Sequence, residues 1–389
     1  MGPHGRPLET EGSELAAVRH LVLRHGWNAT SFQIVNPGIE HWFPPAGSIA
    51  DSVVGFVRWR RVRVVAGAPV CAPDRMDEVV RAFERDATRC GERVCYFGAE
   101  ERLRTSLAHH PPRATVVLGA QPAWNPACWP AMIGRRASVR AQLHRARNKG
   151  VEVEAWSAEM ATAHPDLERC LSEWLATRGL PPLHFLVEPN TLHRLAGRRV
   201  FVARRRERVV AFLVASPIPR RAGWLIEQIV RGHDAPNGTA ELLIDAAVRA
   251  VAEEGSSYMT LGLAPLSRHA PRAVDAEPRW LRLTLAWIRA HGRRFYNFDG
   301  LDAFKSKFDP ERWEPVYAIT PEAAFSPSTL YAVAGAFTGG SPLVLGIRAV
   351  ARAAYQEARW LGARARRELT RAPATPTHPR DGATAARGR

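Results

Sequence analysis

Two copies of one α/β unit, set in tandem and joined by a basic helix, are the fold this sequence predicts. Three observations predict it. The stretches "FVRWRRVRVV" (56–65) and "FVARRRERVV" (201–210) match at seven of ten positions, and each reads as a β-hairpin with a polar turn. A helical pattern and then a short strand with Gly near its end follow each hairpin. These are Asp77 to Cys90 and "RVCYFG" (93–98) in the first copy, Thr239 to Glu254 and "YMTLGL" (258–263) in the second. Between the copies lies "IGRRASVRAQLHRARNKG", a helical pattern of its own. Arg is abundant throughout, so the repeated order of elements carries more weight than the matched letters.

In chain order, residues 1–30 read as an extension with a helix. Its start, "MGPHGRPLETEGSE", lacks the apolar core of a signal peptide. The first unit spans 31–132, the connecting helix 133–150 and the second unit 151–320. In the connecting helix Arg136, Arg140, His144 and Arg147 share one face, and Val139, Leu143 and Ala146 form another stripe. The all-positive face points to an anionic ligand, RNA or membrane lipid. From hairpin end to helix start is 12 positions in the first copy (65 to 77) and 29 in the second (210 to 239). The added stretch holds the loop "RGHDAPNG" (231–238).

After 320 the character changes. Residues 323–347 carry no charge but are broken by Gly339-Gly340-Ser341-Pro342, so no simple membrane span is expected. In "IRAVARAAYQEARWLGARARREL" an apolar stripe (Ile347, Val350, Ala354, Leu361) runs beside Arg348, Arg352, Arg359 and Arg366. That suits a helix on an anionic membrane, or one packed on the protein body. The end, from Ala372, has a composition that favours disorder.

The net charge of +16 is concentrated. Residues 134–150 hold six Arg and Lys with no acid, and residues 348–389 hold ten Arg against Glu357, Glu368 and Asp381. Those two segments carry thirteen of the sixteen charges, which suggests a polyanionic partner, though an Arg-rich genome would also raise the count. The five cysteines (71, 90, 95, 128, 170) show no metal spacing and fit a reduced, cytoplasmic protein. No GxxxxGK[ST], HExxH, GxSxG or dinucleotide glycine fingerprint occurs. A nucleoside triphosphate site is therefore not expected, and neither is a cofactor or a metal.

The α/β unit resembles the GNAT acetyltransferase fold, in which the loop before the helix holds the pyrophosphate of acyl-CoA through spaced glycines. "RGHDAPNG" has Gly232 and Gly238 without that spacing, so a donor other than CoA is expected. Three segments, "RGHDAPNGTAELLID" (231–245), "LGLAPLS" (261–267) and "YNFDGLDAFKSKFDPERWEPVYAI" (296–319), resemble the catalytic domain of phosphatidylglycerol lysyltransferases. That domain is the soluble C-terminal half of the multiple peptide resistance factor. The last segment is the most specific: Tyr296, Phe298 and Leu301 lead into a Phe-Lys-x-Lys-Phe run (304–308), then Trp313-Glu314-Pro315. The resemblance covers about residues 30–320. It implies transfer of an aminoacyl group, lysyl or alanyl, from aminoacyl-tRNA to a hydroxyl of phosphatidylglycerol at an anionic phospholipid membrane surface. The exchange is ester for ester and needs no ATP. Family members also carry a multi-helix flippase domain before this region. Only about 30 residues precede the first unit here, so membrane contact is expected from the tail.

Such a reaction needs a base near the lipid hydroxyl, donors for the tetrahedral oxyanion, an acid for the leaving hydroxyl and a carboxylate for the α-ammonium. By position the candidates are Glu227 on the strand entering the loop, Asp234 in the loop and Glu241 in the first helical turn. Arg231 would hold a phosphate, and the backbone amides around Asn237, Gly238 and Thr239 an oxyanion. Lys305 and Lys307 would reach the lipid phosphate or the tRNA. Plainer readings stay open beside these. Asp234 and Asn237 suit a turn and a cap, Glu227 a solvent-facing strand position, and Glu241 the helix dipole. The lysines suit a solvated face beside buried Phe304 and Phe308. Competing functions are an acyl-CoA-dependent N-acyltransferase, a transferase of amino acids to a cell-wall precursor, and a non-catalytic RNA- or membrane-binding protein.

Overall fold

The computed structural model describes residues 8–45, 47–178, 182–271, 280–281 and 298–340. Tyr296 and the basic stripe of the tail lie outside the described residues.

The first half opens with helix α1 (Leu8–His25) and a 3-10 turn (Ser31–Val35), then strands β1 (Glu40–Trp42), β2 (Val54–Trp59) and β3 (Val62–Ala66). Helix α2 (Met76–Arg89) carries β3 over to β4 (Arg93–Glu100), which runs parallel to it. Met76, Val79, Val80, Phe83 and Ala87 of α2 recur at helical spacing and are the residues it buries. A short helix α3 (Glu101–Ser106) leads to the long strand β5 (Ala114–Trp124), followed by α4 (Trp129–Arg135) and the connecting helix α5 (Ala137–Asn148).

The second half holds β6 (Val151–Trp156), α6 (Ala158–Ala161), α7 (Pro165–Ala176), β7 (Arg199–Arg205), β8 (Arg208–Ile218) and β9 (Gly223–Arg231). Helix α8 (Thr239–Glu253) then crosses to β10 (Tyr258–Thr260), parallel to β9. A two-residue strand β11 (Ala264–Pro265), the helix Phe298–Ser306, β12 (Arg312–Thr320) and the helix Pro327–Thr338 complete the described chain. The last of these buries Thr329, Ala332, Val333, Gly335 and Ala336, so this part of the uncharged stretch packs on the protein body.

The unit is thus repeated: β3–α2–β4 and β9–α8–β10 are each a parallel pair with a helical crossover. Both basic stretches are hairpins as expected, but they are not equivalent ones. The first is β2–β3, which feeds its helix directly. The second is β7–β8, and a further strand, β9, intervenes before α8. The extra length in the second copy is therefore largely a strand rather than a loop. "YMTLGL" is strand only over Tyr258–Thr260, and its second half turns away from the sheet.

All the strands join one sheet in the order β1-β2-β3-β4-β12-β5-β10-β9-β8-β7-β6, with β11 beside β5. β12 comes from the C-terminal end yet lies between β4 and β5, antiparallel to both. The halves meet where β5 pairs with β10. Apolar residues of β5, β8 and β9 and of the helices α4, α5 and α8 close one face of the second half, around Trp129, Leu213, Leu243 and Phe308. The other face there is covered by α6, α7 and Leu192 and Leu195, with Ala29 and Gln33 of the segment 26–36 reaching it at Ile218, Leu225 and Ser216.

Candidate active site

Strand β9 pairs with β10 only over Gly223–Leu225. β10 then ends, while β9 continues to Arg231 beside β8. The sheet opens at that point.

Glu227 lies on the continuing part of β9, and it is buried. Arg198 Nε donates to Oε1 and Gln33 Nε2 to Oε2, each at 2.6 Å. The Arg198 side chain is fully buried and also donates to Asn36 Oδ1 (2.7 Å) and the Arg194 carbonyl (2.6 Å). Glu227 is therefore no solvent-facing position. It ties β9 to the 3-10 turn Ser31–Val35 through Gln33. Asp234 is exposed and pairs with Arg208 at 2.8 Å. Arg231 and Asn237 are exposed.

The Thr239 amide is already donated, to the Pro236 carbonyl at 3.2 Å. Gly238 caps α8 with φ +95, and a Cβ there would overlap the Gln142 carbonyl of α5. Thr239 is fully buried and its hydroxyl donates to the Pro236 carbonyl at 2.7 Å. Helix α5 packs against the start of α8 at Gly238, through the Gln142 carbonyl and Ala146. Gly238→Ala meets both a left-handed backbone and the α5 carbonyl. It should lower stability by about 2 kcal/mol or more in urea unfolding; a loss below about 0.5 kcal/mol would mean α5 yields freely at that point.

Glu241, in the first turn of α8, accepts from Lys307 Nζ at 2.5 Å, and the Lys307 ammonium lies 3.8 Å from the Phe304 ring centre. Lys305 is buried and points inward. Its Nζ donates to the carbonyls of Leu261 (2.7 Å), Gly262 (2.7 Å) and Leu263 (2.8 Å), the loop that leaves β10. Burial lowers its ammonium to about 7, with Asp302 pulling the other way. Lys305 is neither a solvated residue nor free to reach a phosphate.

The stripe Val139, Leu143, Ala146 of α5 is buried as expected. On its basic face Arg136 pairs with Asp309, Arg147 with Asp245 (3.2 Å), and Arg140 caps the Ile133 and Gly134 carbonyls. His144 is exposed. Asp245, almost wholly buried, also accepts from Trp129 Nε1 and Arg249 Nε, each at 3.0 Å.

A second group of residues, absent from the sequence reading as a site, lies where β9 and β10 start, at the other end of their paired stretch from the opening. Arg221 precedes β9, Tyr258 starts β10, Glu100 ends β4, Gln121 is on β5 and Glu314 on β12. Arg221 donates to Glu100 Oε2 at 3.1 Å and to Glu314 through both terminal nitrogens at 3.0 and 2.5 Å. Its guanidinium stacks 3.5 Å from the Tyr258 ring centre. The Tyr258 hydroxyl donates to Glu314 Oε2 at 2.8 Å. Gln121 Nε2 lies within 3.1 Å of Glu100 and 3.2 Å of Glu314. Arg312 Nε reaches Glu314 at 2.9 Å from the half-exposed side.

The two carboxylates are driven apart. Burial raises the pKa of Glu100 despite Arg221 and the Ala29 amide. Burial would raise Glu314 too, but the hydrogen bond and charge of Arg221, with Arg312 and Tyr258, hold it at about 2. Burial also places the Tyr258 hydroxyl well above the ordinary phenol range, with the Glu100 charge adding to it. The arrangement provides a permanent anion on the accessible side and a buried carboxyl with a raised pKa behind it. Burial and the guanidinium groups thus act in opposite directions on two neighbouring carboxyls. The phrase "RWEP" carried Glu314 in the sequence, but nothing in it pointed to Arg221 or Glu100.

The sequence of this chain matches the family model "Phosphatidylglycerol lysyltransferase, C-terminal" over residues 19–320. An uncharacterised protein of Corynebacterium glutamicum is 25% identical over 336 residues, covering 80% of this chain and 40% of that protein. A phosphatidylglycerol lysyltransferase of Staphylococcus xylosus is 22% identical over 281 residues, covering 70% of this chain and 32% of that enzyme. The chain thus spans well under half the length of these relatives. Among solved structures, a C-terminal DUF2156 domain from Agrobacterium fabrum superposes with TM-score 0.71 at 22% identity, covering 85% of this chain and 98% of that one. L-PGS from Bacillus licheniformis gives TM-score 0.68 at 19% identity, covering 86% and 97%. Both have the same fold, which in this chain is the tandem acetyltransferase-like arrangement described above.

Proposed function

The chain belongs to the family of phosphatidylglycerol lysyltransferase C-terminal domains, and on that premise we propose that it transfers an aminoacyl group from aminoacyl-tRNA to a hydroxyl of phosphatidylglycerol. The observation that carries the reading is the split pair of carboxylates around Arg221. Glu314, ionised at any physiological pH and open on the Arg312 side, suits the α-ammonium of an amino acid. The Tyr258 hydroxyl, which donates to Glu314 Oε2 at 2.8 Å, is the group that would supply a proton where the ester is exchanged, and Glu100 holds Arg221 in place behind it. The transfer exchanges one ester for another, so no nucleotide hydrolysis enters.

The spacing of Gly232 and Gly238, which does not suit a pyrophosphate, favours this over an acyl-CoA-dependent transferase. Exposed His144 and Arg145 on α5 and Lys149 just after it meet no carboxylate among the described residues, and they suit the phosphates of a tRNA or of an anionic membrane surface. Arg136, Arg140 and Arg147 shape that surface while holding their partners. Among the described residues no helix is long and apolar enough to cross a membrane.

The test is direct. Purified protein is incubated with radiolabelled aminoacyl-tRNAs and phosphatidylglycerol vesicles, and the lipids are separated. Label in a phosphatidylglycerol ester with lysyl- or alanyl-tRNA is the expected result. No label with any aminoacyl-tRNA, or label that requires acyl-CoA, would overturn it.

A further inference from the structure

Arg312 and Glu314 stand two apart on β12, so the pleat sends both side chains to one face of the sheet. Trp313 between them takes the other face and lies flat against the His269 ring, centres 4.2 Å apart. The two cations on Glu314 differ in kind. The Arg221 side chain is 11% exposed and grips both carboxylate oxygens. The Arg312 side chain is 50% exposed and reaches one oxygen through Nε.

A carboxylate offers about four lone-pair directions, two on each oxygen. Glu314 Oε2 is met by Arg221 Nη1 at 3.0 Å, the Tyr258 hydroxyl at 2.8 Å and Gln121 Nε2 at 3.2 Å. Oε1 is met by Arg221 Nη2 at 2.5 Å and Arg312 Nε at 2.9 Å. In this arrangement Glu314 has no direction left for a further donor. The charges also balance: Glu100 and Glu314 stand against Arg221 and Arg312, and a third cation would exceed them. Of these five donors, Arg312 is the one whose side chain already has half its surface in water. An ion pair with so exposed a partner is weak enough to exchange.

We propose that Arg312 is a displaceable latch on the ammonium seat: it holds Glu314 Oε1 until an α-ammonium takes that position and sends the guanidinium out to solvent. This rests on the reading of Glu314 as the anchor of the amino acid, and it adds what that anchor selects. Binding exchanges one cation for another at a single oxygen. A ligand with a free ammonium replaces the ion pair that it breaks. A neutral or N-acylated amino group breaks the same pair and replaces nothing, so Arg312 stays and the seat stays shut. A competing internal partner lowers the affinity for every ligand, and lowers it most for the wrong one. Arg312 is thereby a specificity residue that acts at the seat and takes no part in moving the proton.

The full chain is titrated calorimetrically at neutral pH with alaninamide, which carries a free ammonium, and with N-acetylalaninamide, which does not. Wild type should bind alaninamide weakly and the acetylated probe not at all. Arg312→Met should tighten alaninamide by about fivefold or more, because the seat is then always open, and Glu314→Gln in that background should remove the gain. Arg312 is half-exposed, so its variant keeps the fold. If Arg312 instead steadies Glu314 for the ligand, Arg312→Met weakens binding, which overturns the proposal. Unchanged affinity, no binding to either protein, a gain that survives Glu314→Gln, or equal binding of the two probes overturns it as well. A second measurement follows the guanidinium itself. The Arg312 Nε–H resonance, assigned by its loss in Arg312→Met, should exchange faster with water once alaninamide is bound; an unmoved resonance beside a bound ligand would refute displacement. Tighter alaninamide binding by Arg312→Met, in a chain that transfers nothing to lipid, would sink the transfer reading alone. Transfer to lipid, with alaninamide binding weakened in Arg312→Met, would sink the latch alone.

Discussion

Arg221→Met should lower the free energy of unfolding by about 3–5 kcal/mol, the range for breaking a buried ion pair by removing one partner. The Arg221 side chain is 11% exposed and bonds Glu100 and Glu314, themselves 7% and 20% exposed. Without it two carboxylates face each other across Gln121 and Tyr258 with only the peripheral Arg312 left. One of them must take a proton or draw in water. The second mutation tells this mechanism from simple loss of packing. Glu314→Gln in the Arg221→Met background removes the excess charge and should recover a good part of the loss, because the neutral amide still meets Tyr258 and Gln121. If methionine merely packed badly there, the added glutamine would restore nothing. Denaturant unfolding of the two variants and the wild type, at neutral pH and constant salt, gives the comparison. An Arg221→Met loss below about 1 kcal/mol would show that solvent screens the cluster as it does a surface pair.

That cluster illustrates what could be read before the fold was known. Glu314 and Arg221 are 93 positions apart, and Gln121 and Glu314 are 193 apart. No local pattern distinguishes them from residues of a turn and of strands. Arg221 in "PRRAG" reads as one more basic turn residue, and Glu314 needs β12 to be threaded between β4 and β5 before it faces anything. Helix faces fared better because 3.6-residue periodicity is local: the buried stripes of α2, α5 and α8 are where the apolar residues recur. The tandem α/β order was legible for the same reason.

The misaligned hairpins have an equally local cause. Strand patterns repeat every two residues, so any two basic hairpins look alike, and which one feeds the crossover helix depends on pairing with a distant strand. Candidate site residues fared worst. Position relative to the loop brought Glu227, Asp234 and Glu241 forward together, yet their partners separate them: a fully buried arginine for Glu227, an exposed one for Asp234 and a half-buried lysine for Glu241. The basic face of α5 was read as uncompensated because Asp245 and Asp309 lie 98 and 173 positions away.

Lys305 offers the other large effect, because its partners are backbone. Three carbonyls in succession, Leu261, Gly262 and Leu263, converge on one ammonium group, and all three of its protons are used. The loop they belong to is what remains of the strand after Thr260, and Gly262 within it has φ +69. An unpaired stretch of strand turned away from its neighbour needs its carbonyls answered by something else, and Lys305 answers them from the helix Phe298–Ser306. Lys305→Met keeps the apolar stem and removes the donors. Three buried acceptors then lose their partner at once, so a destabilisation of about 2–4 kcal/mol is expected, beyond what one ordinary hydrogen bond contributes. Lys305→Arg should not rescue it, since a planar fork cannot direct three donors at one converging set of carbonyls. Hydrogen exchange at Gly262 and Leu263 should quicken in both variants, while exchange in α2 and β4, in the first half of the sheet, stays near wild type. A substrate-binding lysine would give the opposite pattern: unchanged stability and exchange, with only the affinity for lipid or tRNA reduced. The two outcomes differ in a measurement that needs no substrate, so they decide whether Lys305 builds the opening between β9 and β10 or acts within it.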